Sequence, residues 1–107
     1  MPSYRVSPQA EADVVAIACY IAESNPDAGE RFVDAAYTTF RFLTTQPELG
    51  RPRRFANSTL TSLRSWRVAK FTRHLIFYRF REGVVEILRV VHGARDLEAF
   101  FREKPPA

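Results

Sequence analysis

The hydrophobic period of this 107-residue chain changes once, near its middle. That single change restricts the available folds more than any other feature. Before residue 46 the apolar positions recur at helical spacing, and beyond residue 62 they alternate. Ala10, Val14, Ile17, Ala18 and Ile21 form one stripe, and Phe32, Val33, Ala36, Phe40 and Leu43 form a second. Each stripe starts behind the same device. Ser7-Pro8 and Asn25-Pro26 both offer a capping side chain followed by a proline at the first helical position, where its missing amide costs nothing. Glu11 and Asp13, then Asp27 and Glu30, place negative charge at the positive helix ends. Helices are predicted over about 8–23 and 26–45, the second stopping before Pro47. Their short connection makes them an antiparallel hairpin.

A short strand over 3–7 precedes the hairpin, with Tyr4 and Val6 alternating with polar residues. Residues 46–61, with Pro47, Gly50, Pro52 and three arginines, read as an irregular connector. Strands are then predicted from Leu63 to Phe71, from Arg73 to Arg81 and from Val84 to His92, with Glu82-Gly83 as a turn. Connections this short require antiparallel neighbours. Asp96 is placed to cap a short last helix containing Leu97, Phe100 and Phe101. The fold class is α+β. It comprises an N-terminal strand, a helical hairpin packed on a mainly antiparallel four-stranded sheet, and a short C-terminal helix, all in one domain over 1–107. In the last strand Val85, Ile87, Arg89 and Val91 share one face, and Val84, Glu86, Leu88, Val90 and His92 the other. Both faces are largely apolar, so this strand is expected at the centre and covered twice. One hairpin covers one face only. An apolar groove for a partner is expected on the other, closed by Leu97, Phe100 and Phe101. The first helix also extends sideways through Val15, Cys19 and Ala22, which fits either core contact or a second interface.

Charge is strongly segregated. Residues 1–50 hold three basic and seven acidic residues, whereas 51–81 hold nine basic residues and no acidic one, within a net charge of +4. Eight of those nine are arginine, whose planar fork suits phosphates and carboxylates. Arg64, Arg67, Lys70, Arg79 and Arg81 are candidates for binding nucleic acid or an acidic protein, and Trp66 among them can stack on a base or fill the gap between helix and sheet. Apolar residues at 46% exclude a disordered tail, and one cysteine, Cys19, excludes an internal disulfide. No apolar run approaches the ~18 residues a membrane span needs. The Met-Pro-Ser-Tyr-Arg opening has no signal-peptide core, so a cytoplasmic protein is expected. Four glycines form no phosphate loop, and two histidines with scattered carboxylates show no metal-ligand spacing, so no cofactor and no metal are expected. His92, Arg95 and Asp96, a histidine, an arginine and an aspartate close together, suit acid–base chemistry on a phosphodiester, and for a ribonuclease the candidates are Arg73, His92 and Arg95. The alternative is structural: His92 closes a strand, Gly93 bends the chain, and Asp96 caps a helix and pairs with Arg95. His74, beside Arg73, reads as an edge residue.

The stretches Leu63-Arg64-Ser65-Trp66-Arg67-Val68, His74-Leu75-Ile76-Phe77-Tyr78-Arg79 and Ile87-Leu88-Arg89-Val90-Val91-His92-Gly93-Ala94-Arg95-Asp96 resemble the ParE branch of the ParE/RelE toxin superfamily of bacterial type II toxin–antitoxin systems. Ser7-Pro8-Gln9-Ala10-Glu11-Ala12-Asp13, the Ile17–Ala22 stretch, Arg31-Phe32 and the spacing of Leu43, Pro47 and Gly50 resemble it as well. The resemblance spans roughly 3–100. It implies a small α+β toxin neutralised by a cognate antitoxin, a ParD-like ribbon-helix-helix protein whose C-terminal region wraps the toxin in a hetero-oligomer. Operator DNA would be met only through that antitoxin. Antitoxin or target contacts are expected at Arg64, Trp66, Arg67, Lys70, Arg79, Arg81, Arg89, Leu97, Phe100 and Phe101. ParE-like members are understood to inhibit DNA gyrase. RelE-like members cut messenger RNA on the ribosome with basic residues and often a late tyrosine. Here Leu75 stands where RelE-type enzymes commonly carry an arginine, and Phe100 and Phe101 where a hydroxyl is wanted, which favours the gyrase inhibitor. A ribosome-dependent endoribonuclease and a non-toxic antitoxin-binding domain are the alternatives.

Overall fold

The computed structural model describes residues 3–53 and 62–93. Strand β1 (Ser3–Val6) leads into helix α1 (Pro8–Ala22) and helix α2 (Pro26–Thr45). A two-residue strand β2 (Arg51–Pro52) follows, then β3 (Arg64–Val68), β4 (Phe71–Arg81) and β5 (Val84–His92). The caps form as expected. The Ser7 hydroxyl accepts from the Ala10 amide at 3.0 Å and donates to the Leu88 carbonyl at 3.0 Å, so one side chain starts α1 and ties it to the sheet. The Asn25 carbonyl oxygen accepts from the Ala28 amide at 3.2 Å.

The sheet order is β1-β5-β4-β3-β2, with β1 parallel to β5 and the other pairs antiparallel. This is five strands rather than four. The connector contains the extra one, because Arg51 pairs with Ser65 and the Arg53 amide donates to the Leu63 carbonyl at 2.7 Å. Pro52 is tolerated there because β2 is an edge strand. The segment predicted as one strand from Leu63 to Phe71 is divided. β3 stops at Val68, Lys70 turns the chain with φ 67°, and β4 already begins at Phe71. Glu82 (φ 52°) and Gly83 (φ 79°) both take left-handed conformations, the geometry that matches a two-residue turn to the twist of its strands.

The helices cover one face. Ala10 and Val14 of α1 and Phe32, Ala36, Phe40 and Leu43 of α2 bury against Val68, Ile76, Tyr78, Val85, Ile87 and Val90. Each large apolar side chain so buried contributes about 1.5–3 kcal/mol. The facing assigned to β5 from strict alternation fails beyond Ile87. Phe77 pairs with Arg89 but Tyr78 with Ile87, so Leu88 is an extra residue, a β-bulge. The bulge reverses the alternation, and Val90 rather than Val91 joins Val85 and Ile87 under the helices. Val91 and Leu88 instead meet Leu63, Leu75 and Phe77 in a second cluster on the opposite face. That cluster is buried within the chain itself, Phe77 completely and Leu75 to 8% exposure. Both faces of β5 are therefore covered at these residues. The predicted closing residues Leu97, Phe100 and Phe101, and the C-terminal helix, lie outside the described residues.

Candidate functional site

The face turned away from the helices is built from alternate residues of four strands. Arg5 comes from β1, Glu86 from β5, Arg79 and Arg81 from β4, and Ser65 and Arg67 from β3. Arginines thus flank the second apolar cluster on both sides. On the β1 side three of them share one carboxylate. Glu86 takes Arg5 at 2.9 Å, a short ion pair from Arg79, and Arg81 at 3.6 Å. The Arg79 hydrogen bond, followed by the Arg5 bond and the charges of Arg79 and Arg81, holds the Glu86 carboxyl below its ordinary pKa against the opposing effect of burial. Arg79 is therefore bound internally, whereas Arg81 keeps an exposed side chain and the cluster keeps an excess of positive charge.

The other predicted contact residues divide between the two faces. Arg64 turns to the helix side, where its guanidinium donates to the carbonyls of Glu48 (3.0 Å) and Gly50 (2.8 Å). Trp66 packs there too, against the main core and 6.4 Å from the Phe42 ring, so it fills the gap between helix and sheet. Arg89 belongs to the α1 contact. Its guanidinium meets the Asp13 carboxylate at 2.9 and 3.2 Å, and the same carboxylate accepts from the Val90 amide at 2.9 Å. Lys70 is exposed in the β3–β4 turn. On the outer side of α1, Val15 and Tyr20 are 58% and 61% exposed and Cys19 is exposed, so this sideways extension is surface rather than core.

Of the acid–base candidates, the two among the described residues, Arg73 and His92, lie on opposite sides of the sheet. His74 sits within β4 rather than on an edge, paired across the ladder with His92. Its ring lies 5.1 Å from Phe32 and 5.2 Å from the His92 ring, on the helix side. Arg73, one residue earlier, is exposed on the opposite side, and Arg95 lies outside the described residues. Among the described residues no group of three or more His, Cys, Asp or Glu could hold a metal ion, and no helix is long and apolar enough to cross a membrane.

At the far edge of the sheet the arginines are not neutralised. β2 pairs with β3 only at Arg64 and Ser65, because the Gly50 amide turns away to the Tyr78 hydroxyl at 2.8 Å. That hydroxyl in turn donates to the Pro47 carbonyl at 2.9 Å. Burial raises the Tyr78 pKa, opposed by the Gly50 bond and by Arg64. Beyond the end of β2, a trough of about 500 Å³ runs along β3, with Leu49, Arg51, Arg53, Trp66, Arg67 and Leu75 among its walls. Arg53 is held by the Ser65 hydroxyl at 2.8 Å, 5.9 Å above the Phe77 ring, and Arg67 by the Thr72 carbonyl at 2.6 Å. Burial, then Arg51 and then Arg67, pull the Arg53 pKa down, which is the signature of cations crowding one another. Among the described residues no carboxylate pairs with any of the three. Arg51 and Arg53 stand in the basic run, but sequence reasoning assigned them no contact. Nothing in the connector's composition shows that they join Arg67 at one edge, since that follows from the β2–β3 register.

A family model described as the ParE toxin of type II toxin-antitoxin systems, parDE, matches residues 4–97. Among solved structures, a chain titled as a chromosomal ParDE TA system from P. aeruginosa superposes with a TM-score of 0.67. It is 20% identical, and the match covers 86% of this chain and 96% of that one. At this identity the likeness is one of fold. No curated protein matches this chain.

Proposed function

The chain belongs to the ParE toxin family of type II toxin–antitoxin systems, and from that premise we propose that it acts by binding and inhibiting DNA gyrase and cuts no bond itself. As a family member it is the toxin of such a pair and has an antitoxin partner. The observation that carries the non-enzymatic reading is the placement of Arg73 and His92. General acid–base catalysis needs its groups within about 3 Å of one reacting atom or its bridging water. Here the His92 ring stacks on His74 at 5.2 Å on the helix side, while Arg73 is exposed on the other. With no such cluster among the described residues, this reading has the toxin work by occupancy, and the ParE branch is understood to occupy gyrase. In this reading the protein acts in the cytoplasm, the antitoxin is a ParD-like ribbon-helix-helix protein, and operator DNA is contacted through that antitoxin.

The test uses the purified chain in two assays. DNA supercoiling by gyrase should fall as toxin is added and recover when antitoxin is present. Messenger RNA on translating ribosomes should stay intact at the same concentrations. Cleavage of the messenger with undiminished supercoiling refutes the proposal and assigns the chain to the ribonuclease branch.

A further inference from the structure

The trough along β3 combines two features that recognise one kind of ligand. The first is a strand edge without a neighbour. The alternation that aims the Leu63 carbonyl at the Arg53 amide repeats at Ser65 and again at Arg67. β2 has ended by then, so the Arg67 amide and carbonyl face the trough with no strand beside them among the described residues. One residue pair further, the outward Ala69 amide is already taken by the Thr39 hydroxyl at 3.1 Å. The open edge is therefore short, about four residues of extended chain at ~3.3 Å each.

The second feature is that the two sides of this edge differ in chemistry. Arg51, Arg53 and Arg67 lie towards the face away from the helices, since Arg51 pairs with Ser65 and Arg53 bonds its hydroxyl. Trp66 and Val68 lie towards the helices, in contact with the main core. Side chains of a strand laid in the trough would alternate between these sides. One set would meet three guanidinium groups that have no carboxylate partner among the described residues, and the other an apolar wall with the half-exposed Leu49 at its end.

We propose that this edge takes an added strand from a partner protein, an extended segment in which acidic and apolar residues alternate. Main-chain bonds to Arg67 supply affinity and the two-sided chemistry supplies selectivity. A nucleic-acid strand would satisfy the arginines but not the open backbone edge or the apolar wall. In a toxin of this family the segment belongs to the antitoxin, an assignment that rests on the family membership above and not on gyrase being the target.

The experiment needs neither gyrase nor antitoxin. The probe is a fluorescein-labelled nonapeptide alternating glutamate and valine, added to the full-length chain. Binding is read by anisotropy and located by amide shifts in NMR spectra. Shifts are expected to concentrate at residues 49–53 and 65–69, and affinity should fall as salt is raised. Among the described residues the Arg51 side chain makes no hydrogen bond or ion pair, so Arg51→Glu reverses charge while leaving the β2–β3 ladder in place, and should weaken binding at least fivefold. Arg67→Pro removes the outward amide at a position where an edge strand tolerates proline, and should also weaken binding at least fivefold. A peptide with lysine in place of glutamate should not bind. The proposal is overturned if shifts map to another surface, if Arg51→Glu leaves affinity unchanged, or if a nine-nucleotide deoxythymidine strand displaces the peptide from residues 65–69. It is also overturned if no binding is detected at millimolar peptide. None of these results bears on the supercoiling assay, so the two readings fail separately.

Discussion

Asp13 is the residue whose loss should most reveal how the two layers are joined. Its carboxylate leaves α1 and accepts from Arg89 Nε at 2.9 Å, from a second Arg89 nitrogen at 3.2 Å and from the Val90 amide at 2.9 Å. All three partners lie just past the Leu88 bulge, where β1 has ended and Val90 has lost its neighbouring strand. Asp13→Ala takes the carboxylate from the Arg89 guanidinium and the acceptor from the Val90 amide. Breaking a buried pair costs about 3–5 kcal/mol, but the Arg89 side chain keeps 30% exposure against 17% for Asp13. Water therefore recovers part of the loss, and the expected destabilisation is about 2–4 kcal/mol. Against a total stability of roughly 5–15 kcal/mol, that is a large fraction. Urea denaturation followed by circular dichroism measures it, with the midpoint falling and the slope unchanged. Arg89→Met on the Asp13→Ala background should recover at least about 1 kcal/mol, because the charge that lost the Asp13 carboxylate is then gone. A loss below about 0.5 kcal/mol for Asp13→Ala, or strict additivity of the two changes, would refute the argument.

Three further expectations follow from the same contacts. A Cβ on Gly50 would sit 2.3 Å from the Tyr78 hydroxyl. The Tyr78 ring carbons would lie within 2.7 and 2.8 Å of the same atom, so Gly50→Ala should destabilise the chain by over about 1 kcal/mol; a melting temperature unchanged from the parent would disprove the clash. Tyr78→Phe alone leaves the Gly50 amide and Pro47 carbonyl unpaired, for about 1–3 kcal/mol. Calorimetric melting checks this, and a Tm within a degree of the parent contradicts it. Glu86 has a depressed folded-state pKa, so its contribution is present above the unfolded value near ~4.3 and disappears as pH falls through the folded one. The stability gap between the parent and Glu86→Gln should accordingly be widest at neutral pH and shrink below about pH 4, whereas a gap constant from pH 7 to 3 would show that the arginine cluster does not act through ionisation.

Much of the fold was legible because its signals are local. Ser7-Pro8 and Asn25-Pro26 fix two helix starts through a cap and a fixed φ, and Glu82-Gly83 fixes a hairpin through two positive φ values. Each depends on neighbours within four residues. The features that were misread depend on partners far away in sequence. β2 exists because Arg53 finds Leu63 across the connector. The bulge at Leu88 arises where β5 passes from β1 to the start of α1. There the Ser7 hydroxyl takes the Leu88 carbonyl and Asp13 takes the Val90 amide. Alternation counted along β5 alone contains no trace of either bond.

The candidate site was legible in charge and illegible in arrangement for the same reason. A count finds nine basic residues between 51 and 81 and no acidic one, yet it cannot see that Glu86 reaches back from the next strand to pair with Arg79 and Arg81. Nor can it see that Arg64 spends its donors on two carbonyls of the connector. Which arginines share a carboxylate is decided by register: among the described residues, those of β4 opposite Glu86 do, and those near β2 do not. Two substitutions separate field from arrangement. Glu86→Gln raises the net charge by one and releases Arg79 and Arg81, while Arg51→Glu lowers it by two at the other edge. If the summed charge governed partner association, the first would speed it and the second slow it wherever the partner docks. If register governs it, only the Arg51 change alters binding at Arg67 of β3, because Glu86 is two strands away and Arg79 stands four residues along β4 from Leu75, the partner of Arg67, about 13 Å at ~3.3 Å per residue, and salt screens charges beyond about 10 Å.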